Sequence, residues 1–251
     1  MNKTDSILNF FIDKIRQQDN IPTFFDNFVF YLLENGYNDR QNILNFIIES
    51  KIIRFLDFED RIKKVKFLST EDYRQYTQGV HSVTKWKGMN MFKSCVDLSV
   101  YTMLIDEIKP DIIIEYGSGN GSSAIWLSDM CVALGLKTKV ISYDINRISL
   151  ENLNVEFINI DLKNLKFDKN DFGGKKLIIE DAHSHVYDTL LKTDELLEIG
   201  DYLVIEDSIP KQNIISNFLM SAKNKYVVDN YYVDFFGINS GSFENSIFKV
   251  I

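Results

Sequence analysis

The chain has 251 residues, 45% of them hydrophobic and 25% charged, with a net charge of −8. That length and mixture suit one large α/β domain, or one domain with a smaller extension, able to bury its core without covalent staples. The acidic balance argues against nucleic acid or an anionic membrane as the main partner, since both call for a basic face. The two cysteines, Cys95 and Cys131, each lie in an apolar stretch and read as buried free thiols. Charges interrupt the apolar residues of the N-terminal MNKTDSILNFFIDKIRQQD, and nothing downstream is long enough to span a membrane, so a cytoplasmic protein is expected.

Residues 5 to about 66 read as helices, beginning with an apolar stripe of helical period at Ile7, Leu8, Phe11, Ile12 and Ile15. Residues 1–80 are therefore expected to form a helical extension, a cap or a homo-oligomerisation module, before a catalytic-type domain over 81–251. From Asp111 short β-branched runs alternate with helical segments, the pattern of a mostly parallel sheet covered on both faces. The predicted strands are 111–116, 139–144, 155–160, 176–181, 202–207, 226–233 and 245–250, with helices near 122–135, 185–198 and 211–223. The last two strands follow one another without a long helix, and an antiparallel pair there fits a doubly wound, seven-stranded, Rossmann-like sheet of methyltransferase type.

Between the first strand and its helix lies Glu115-Tyr116-Gly117-Ser118-Gly119-Asn120-Gly121-Ser122-Ser123. Glycines here let backbone approach a nucleoside-bearing cofactor at the carboxyl end of the strand. A dinucleotide fingerprint would carry glycine or alanine where Ser122 stands, and the pattern is instead G-x-G-x-G preceded by Glu115. A cofactor without phosphates, such as S-adenosylmethionine, needs only close backbone approach and an anionic partner for its amine. Asp144, at the end of the second strand, is placed to accept hydrogen bonds from both ribose hydroxyls. Asp161, ending the third, is placed to reach the adenine.

The fourth strand ends in Glu180-Asp181, followed by Ala182-His183-Ser184-His185, and the fifth ends in Glu206-Asp207. Adjacent strands lie about 4.8 Å apart, so Asp181, Glu206 and Asp207 are expected to meet at one crevice. Two like charges at about 4 Å repel by roughly 4 kcal/mol at an effective dielectric of about 20, so protons or a cation must relieve the crowding. Few basic residues lie close by in sequence, and oxygen ligands favour a hard divalent cation such as Mg2+. Such an ion lowers the pKa of an acceptor hydroxyl, and His183 or His185 is placed to take its proton. Glu180, alternating with Asp181, is expected to face away.

These residues resemble the cephalosporin hydroxylase-like group of class I methyltransferases and, more distantly, the macrolide sugar O-methyltransferases. The resemblance spans roughly 84–251 and rests on KWKGMNMFKSCVDLSVYTMLIDEIKPDIIIEYGSGNGSSAIWL, SYD and LIIEDAHSHVYDTLLKTDELLEIGDYLVIEDSIP. It implies a seven-stranded methyltransferase fold and transfer of a methyl group from S-adenosylmethionine to a hydroxyl of a polyhydroxylated acceptor, a sugar of a surface polysaccharide or a secondary metabolite. By motif position it implies Mg2+ held by Asp181, Glu206 and Asp207. The cofactor would be held by Glu115, the turn Gly117, Ser118, Gly119, Gly121 and Ser122, and Asp144. The family's histidine position, three residues after the metal aspartate, is Ser184 here, between His183 and His185. A nicotinamide-dependent oxidoreductase using the same turn, and a non-catalytic methyltransferase-like scaffold, are the alternatives.

Overall fold

The structure, a computed structural model, describes residues 54–61, 84–150, 154–167, 172–236, 239 and 241–251, all within one compact unit, Ile52–Ile251. Its elements in chain order are β1 (Phe55–Leu56), β2 (Lys85–Trp86), β3 (Met89–Asn90), α1 (Cys95–Ile108), β4 (Ile112–Tyr116), α2 (Ser122–Ala133), β5 (Lys139–Asp144), β6 (Val155–Asn159), β7 (Lys176–Glu180), α3 (Val186–Asp194), β8 (Tyr202–Ile205), α4 (Gln212–Ser221), β9 (Tyr226–Asp229), α5 (Asn230–Val233) and β10 (Ile247–Val250).

The main sheet has eight strands in the order β1-β9-β10-β8-β7-β4-β5-β6. β4 pairs in parallel with β5 and β7, β5 with β6, and β7 with β8, while β10 runs antiparallel between β8 and β9. Every residue of β4, β7 and β8 is buried. Continuous burial is why these runs read as uninterrupted apolar β-branched stretches rather than alternating ones. Helix α1 starts at a capping box in which the Ser94 hydroxyl accepts from the Asp97 amide and Asp97 accepts from the Ser94 amide.

Two expectations change. The sheet gains an eighth strand, β1, inside the stretch expected to be helical, where Phe55 and Leu56 pair with Asp229 and Val228. The helical readings of residues 5–53 and 62–66 lie outside the described residues. The run 226–233 breaks at Asp229, whose side chain accepts from the Tyr231 amide and opens α5. A short hairpin, β2–β3, turns through Lys87 and Gly88, both at positive φ as a two-residue primed turn requires. Among the described residues no helix is long and apolar enough to cross a membrane.

Candidate active site

Hydrogen bonds one residue past the strand ends bring three strand tips level. The Gly117 amide donates to the Tyr143 carbonyl, the Asp181 amide to Tyr116, and the Glu206 amide to Glu180, at 2.8, 2.8 and 2.9 Å. The glycine turn after β4 thus lies beside the acidic segment after β7. Gly117 is required by that contact: a Cβ there would come within 2.6 Å of the Asp181 carbonyl oxygen and 2.8 Å of Ala182 Cα. Gly121 packs against Leu150, Ile148 and Phe157. Gly119 alone of the three opens onto free space, at φ +54, and its amide donates to Asp144 Oδ2 at 3.0 Å.

The remaining cofactor candidates divide into those at the opening and those behind it. Glu115 is fully buried, and its Oε2 accepts from Ser142 Oγ at 2.6 Å, which in turn contacts Ser118 Oγ at 2.6 Å. Glu115 Oε1 is buried without a hydrogen-bond partner. Burial pushes this carboxyl above its ordinary value, against the pull of the Lys93 ammonium. Ser122 Oγ is buried and donates to the Asn90 carbonyl at 2.8 Å, so it fastens the β2–β3 hairpin to the turn. Asp144 also accepts from the Asn146 amide, at 2.7 Å. Asp161 caps the short 3-10 turn that follows it, accepting from the Lys163 amide, a bond that holds its carboxyl below the usual range.

The two histidines part company. His183 Nε2 lies 3.4 Å from Asp181 Oδ1 and 3.2 Å from Asp207 Oδ2, and those two hydrogen bonds lift it to about 9. His185 instead faces Asp161, at 3.8 Å. Asp181, His183 and Asp207 each offer one ligand atom, all within 4.8 Å of one another. Two carboxylates and an imidazole fit a divalent cation, with the carboxylates favouring a hard one. The His183 imidazolium bridges both carboxylates with one positive charge, where a divalent ion would supply two.

Glu206 is not part of that group. It is buried, and its Oε1 accepts from Lys93 Nζ at 2.6 Å and from the Tyr101 hydroxyl at 2.6 Å. Lys93 Nζ also donates to Asp181 Oδ2 at 2.7 Å. Relief of carboxylate crowding on this inner side therefore comes from a lysine, where the sequence pointed to a captured ion. Burial would lower the Lys93 ammonium, but Asp181, Glu206 and Glu115 outweigh it and hold it well above its ordinary value. Burial would likewise raise Asp181, but Lys93 and His183 hold it below the carboxylate range. Glu206, more deeply buried and beside Asp181, is pushed up despite Lys93. Glu180 faces elsewhere and pairs with buried Lys211, whose Nζ donates to Glu180 Oε2 and the Glu206 carbonyl, both at 2.7 Å.

A central parallel sheet with an antiparallel β10, a glycine turn at its middle strand and an acidic pair of strand tips beside that turn define a class I methyltransferase-like protein. Residues 78–167 match the family described as Rhamnosyl O-methyltransferase/CmcI. The chain is 30% identical over 153 residues to rhamnosyl O-methyltransferase of Mycobacterium leprae (strain TN), covering 55% of this chain and 67% of that protein. It is 31% identical over 154 residues to the Mycobacterium tuberculosis (strain ATCC 25618 / H37Rv) protein of the same name, covering 55% and 63%. The chain belongs to the rhamnosyl O-methyltransferase/CmcI family, and the match spans about two thirds of the length of these relatives. Solved structures of CmcI share the fold: one with SAH has a TM-score of 0.59 at 22% identity, covering 76% of this chain and 95% of that one. Another, with Mg-SAM, has a TM-score of 0.57 at 21% identity, covering 83% and 95%.

Proposed function

We propose that this protein transfers the methyl group of S-adenosylmethionine to a hydroxyl of a sugar, a rhamnose-like deoxyhexose being the acceptor class its relatives suggest, with a divalent cation, Mg2+, at the strand tips. The observation that carries this reading is the gathering of Asp181, His183 and Asp207 within 4.8 Å, one strand tip away from the open glycine turn. A relative named for rhamnosyl O-methylation and a CmcI structure holding Mg-SAM support it.

Each group has a task in this reading. Gly119 leaves room for the cofactor, and Asp144 exchanges a backbone partner for the ribose hydroxyls. Glu115, with one unsatisfied buried oxygen, is the acceptor for the cofactor's ammonium. Asp181 and Asp207 would hold the ion, and Glu206 braces Asp181 through their shared Lys93 ammonium. When bound, the ion orients the acceptor hydroxyl and makes it more acidic. The acceptor oxygen attacks the methyl carbon as the carbon–sulfur bond breaks, S-adenosylhomocysteine leaves, and the hydroxyl proton passes to a base, for which His183, closer to the carboxylates than His185, is the candidate. Positioning for in-line attack supplies much of the rate. Neither Cys95 nor Cys131 is in a disulfide, which accords with work in the cytoplasm.

The test is transfer of a labelled methyl group to rhamnosyl and other deoxyhexosyl acceptors with and without a chelator. Activity lost in chelator, restored by Mg2+, and reduced on the order of a hundredfold or more by Asp181→Asn is expected. Full activity in excess chelator removes the metal from the reaction.

A further inference from the structure

Lys93 reaches the strand tips from a clamped stretch of backbone. On its N-terminal side, the Asn90 carbonyl accepts from Asn120 Nδ2 and Ser122 Oγ, both at 2.8 Å, which pins the hairpin to the glycine turn, and Met91 is buried. On its C-terminal side, Ser94 opens α1 through its reciprocal bonds with Asp97. The Lys93 side chain is 4% exposed and touches one carboxylate from each tip, Asp181 Oδ2 and Glu206 Oε1. Asp181 thus divides its oxygens: Oδ2 faces inward to Lys93, and Oδ1 faces outward to His183.

Charge counting gives this placement a meaning. With an ion in place, Glu206 ionised and His183 neutral, Asp181, Glu206 and Asp207 present three negative charges to an ion that supplies only two positive ones. We propose that Lys93 is a positioning residue of the metal site: its ammonium is the third positive charge, it holds Asp181 and Glu206 face to face before an ion arrives, and it weakens ion binding by sharing Asp181. This inference rests on the metal reading above. Removing the ammonium leaves buried Glu206 without its counter-charge and Asp181 with only His183 on its outer side, so the metal-free protein loses stability. The same change removes a positive neighbour from the ion, so metal affinity rises. A lysine that merely packed and cross-linked the tips would on removal lower both.

The experiment is a Mg2+ titration of the full chain by calorimetry and thermal melting, at constant S-adenosylhomocysteine, for wild type, Lys93→Met and Lys93→Arg. Lys93→Met is expected to melt lower without Mg2+, to bind Mg2+ on the order of tenfold more tightly, and to gain more from it on melting than wild type does. Lys93→Arg, which keeps the charge, is expected to bind Mg2+ as wild type does. Should Lys93→Met fail to fold, Lys93→Gln, which keeps polar contacts without charge, must show the same tightening. Mg2+ binding that is unchanged or weaker in the folded uncharged variant overturns the inference while leaving the metal reading intact. A wild type that shows neither Mg2+ heat nor a melting shift overturns both.

Discussion

Gly117 and Gly119 occupy one turn, yet a methyl group added to each meets different things. At Gly117 it collides with the Asp181 backbone at 2.6 Å, so Gly117→Ala must push the β7 tip aside. With φ at +96, a loss of about 1–3 kcal/mol in stability and weakened Mg2+ binding are expected. At Gly119 the space is open, so Gly119→Ala should cost only about 1–2 kcal/mol for its left-handed backbone and lose S-adenosylhomocysteine affinity with Mg2+ binding retained. Calorimetry with each ligand separates the two, and wild-type cofactor affinity in Gly119→Ala would show that the opening serves something else. Tyr101→Phe takes one donor from buried Glu206 and should lower stability by about 1–3 kcal/mol in urea unfolding. The strand-end carboxylates and the glycines were legible because strand ends in such sheets converge on one edge. Lys93 was not, since it precedes Asp181 by 88 residues and Glu206 by 113. Its local signal was a lone lysine between Met91-Phe92 and Ser94-Cys95, just before a capping box.

The runs DIIIEY, KLIIED and YLVIED announced β4, β7 and β8 because a strand buried on both faces has no polar positions to blur it. β1, β2 and β3 are two residues each, too short for any period to show, and they exist through pairing and docking rather than through their own sequence. The split at Asp229 was hidden because valines and tyrosines on either side suit a strand equally well. Asp229 joins several elements at once: it accepts from Arg54 Nε and Nη2, from the Tyr202 hydroxyl at 3.0 Å and from the Tyr231 amide. Arg54 also pairs with Glu107 and lies over the rings of Tyr231 and Tyr232. Asp229→Ala would leave the half-buried guanidinium and the Tyr202 hydroxyl without this acceptor. A loss of about 3 kcal/mol, read from the urea midpoint at unchanged slope, is expected.

Seen whole, the sheet puts its most deeply buried strands at the centre and its chemistry along one rim. Composition and the alternation of strands and helices foretold that plan, including the antiparallel β9–β10 pair. They did not foretell the exposure of individual side chains. Cys131 is buried and Cys95 exposed, where the apolar surroundings of both had pointed inward. Burial also pushes the Cys131 thiol above its ordinary value. A maleimide reagent should therefore label one thiol at once in the native protein, and the second only as the molecule unfolds; rapid labelling of both would contradict the packing of α2 against the sheet.

The rim carries a further mark. His183, His185 and Asp207 all have positive φ, at 58, 53 and 44°, a backbone shape that side-chain-bearing residues adopt at a cost. Peptide links so bent have something to gain by letting go, while β4, β7 and β8 between them do not. Amide deuterium uptake should accordingly be fast over 183–185 and at Asp207 in the ligand-free protein and slow in the neighbouring strands. A cation seated at these tips would quiet that breathing first, before any change reached the interior.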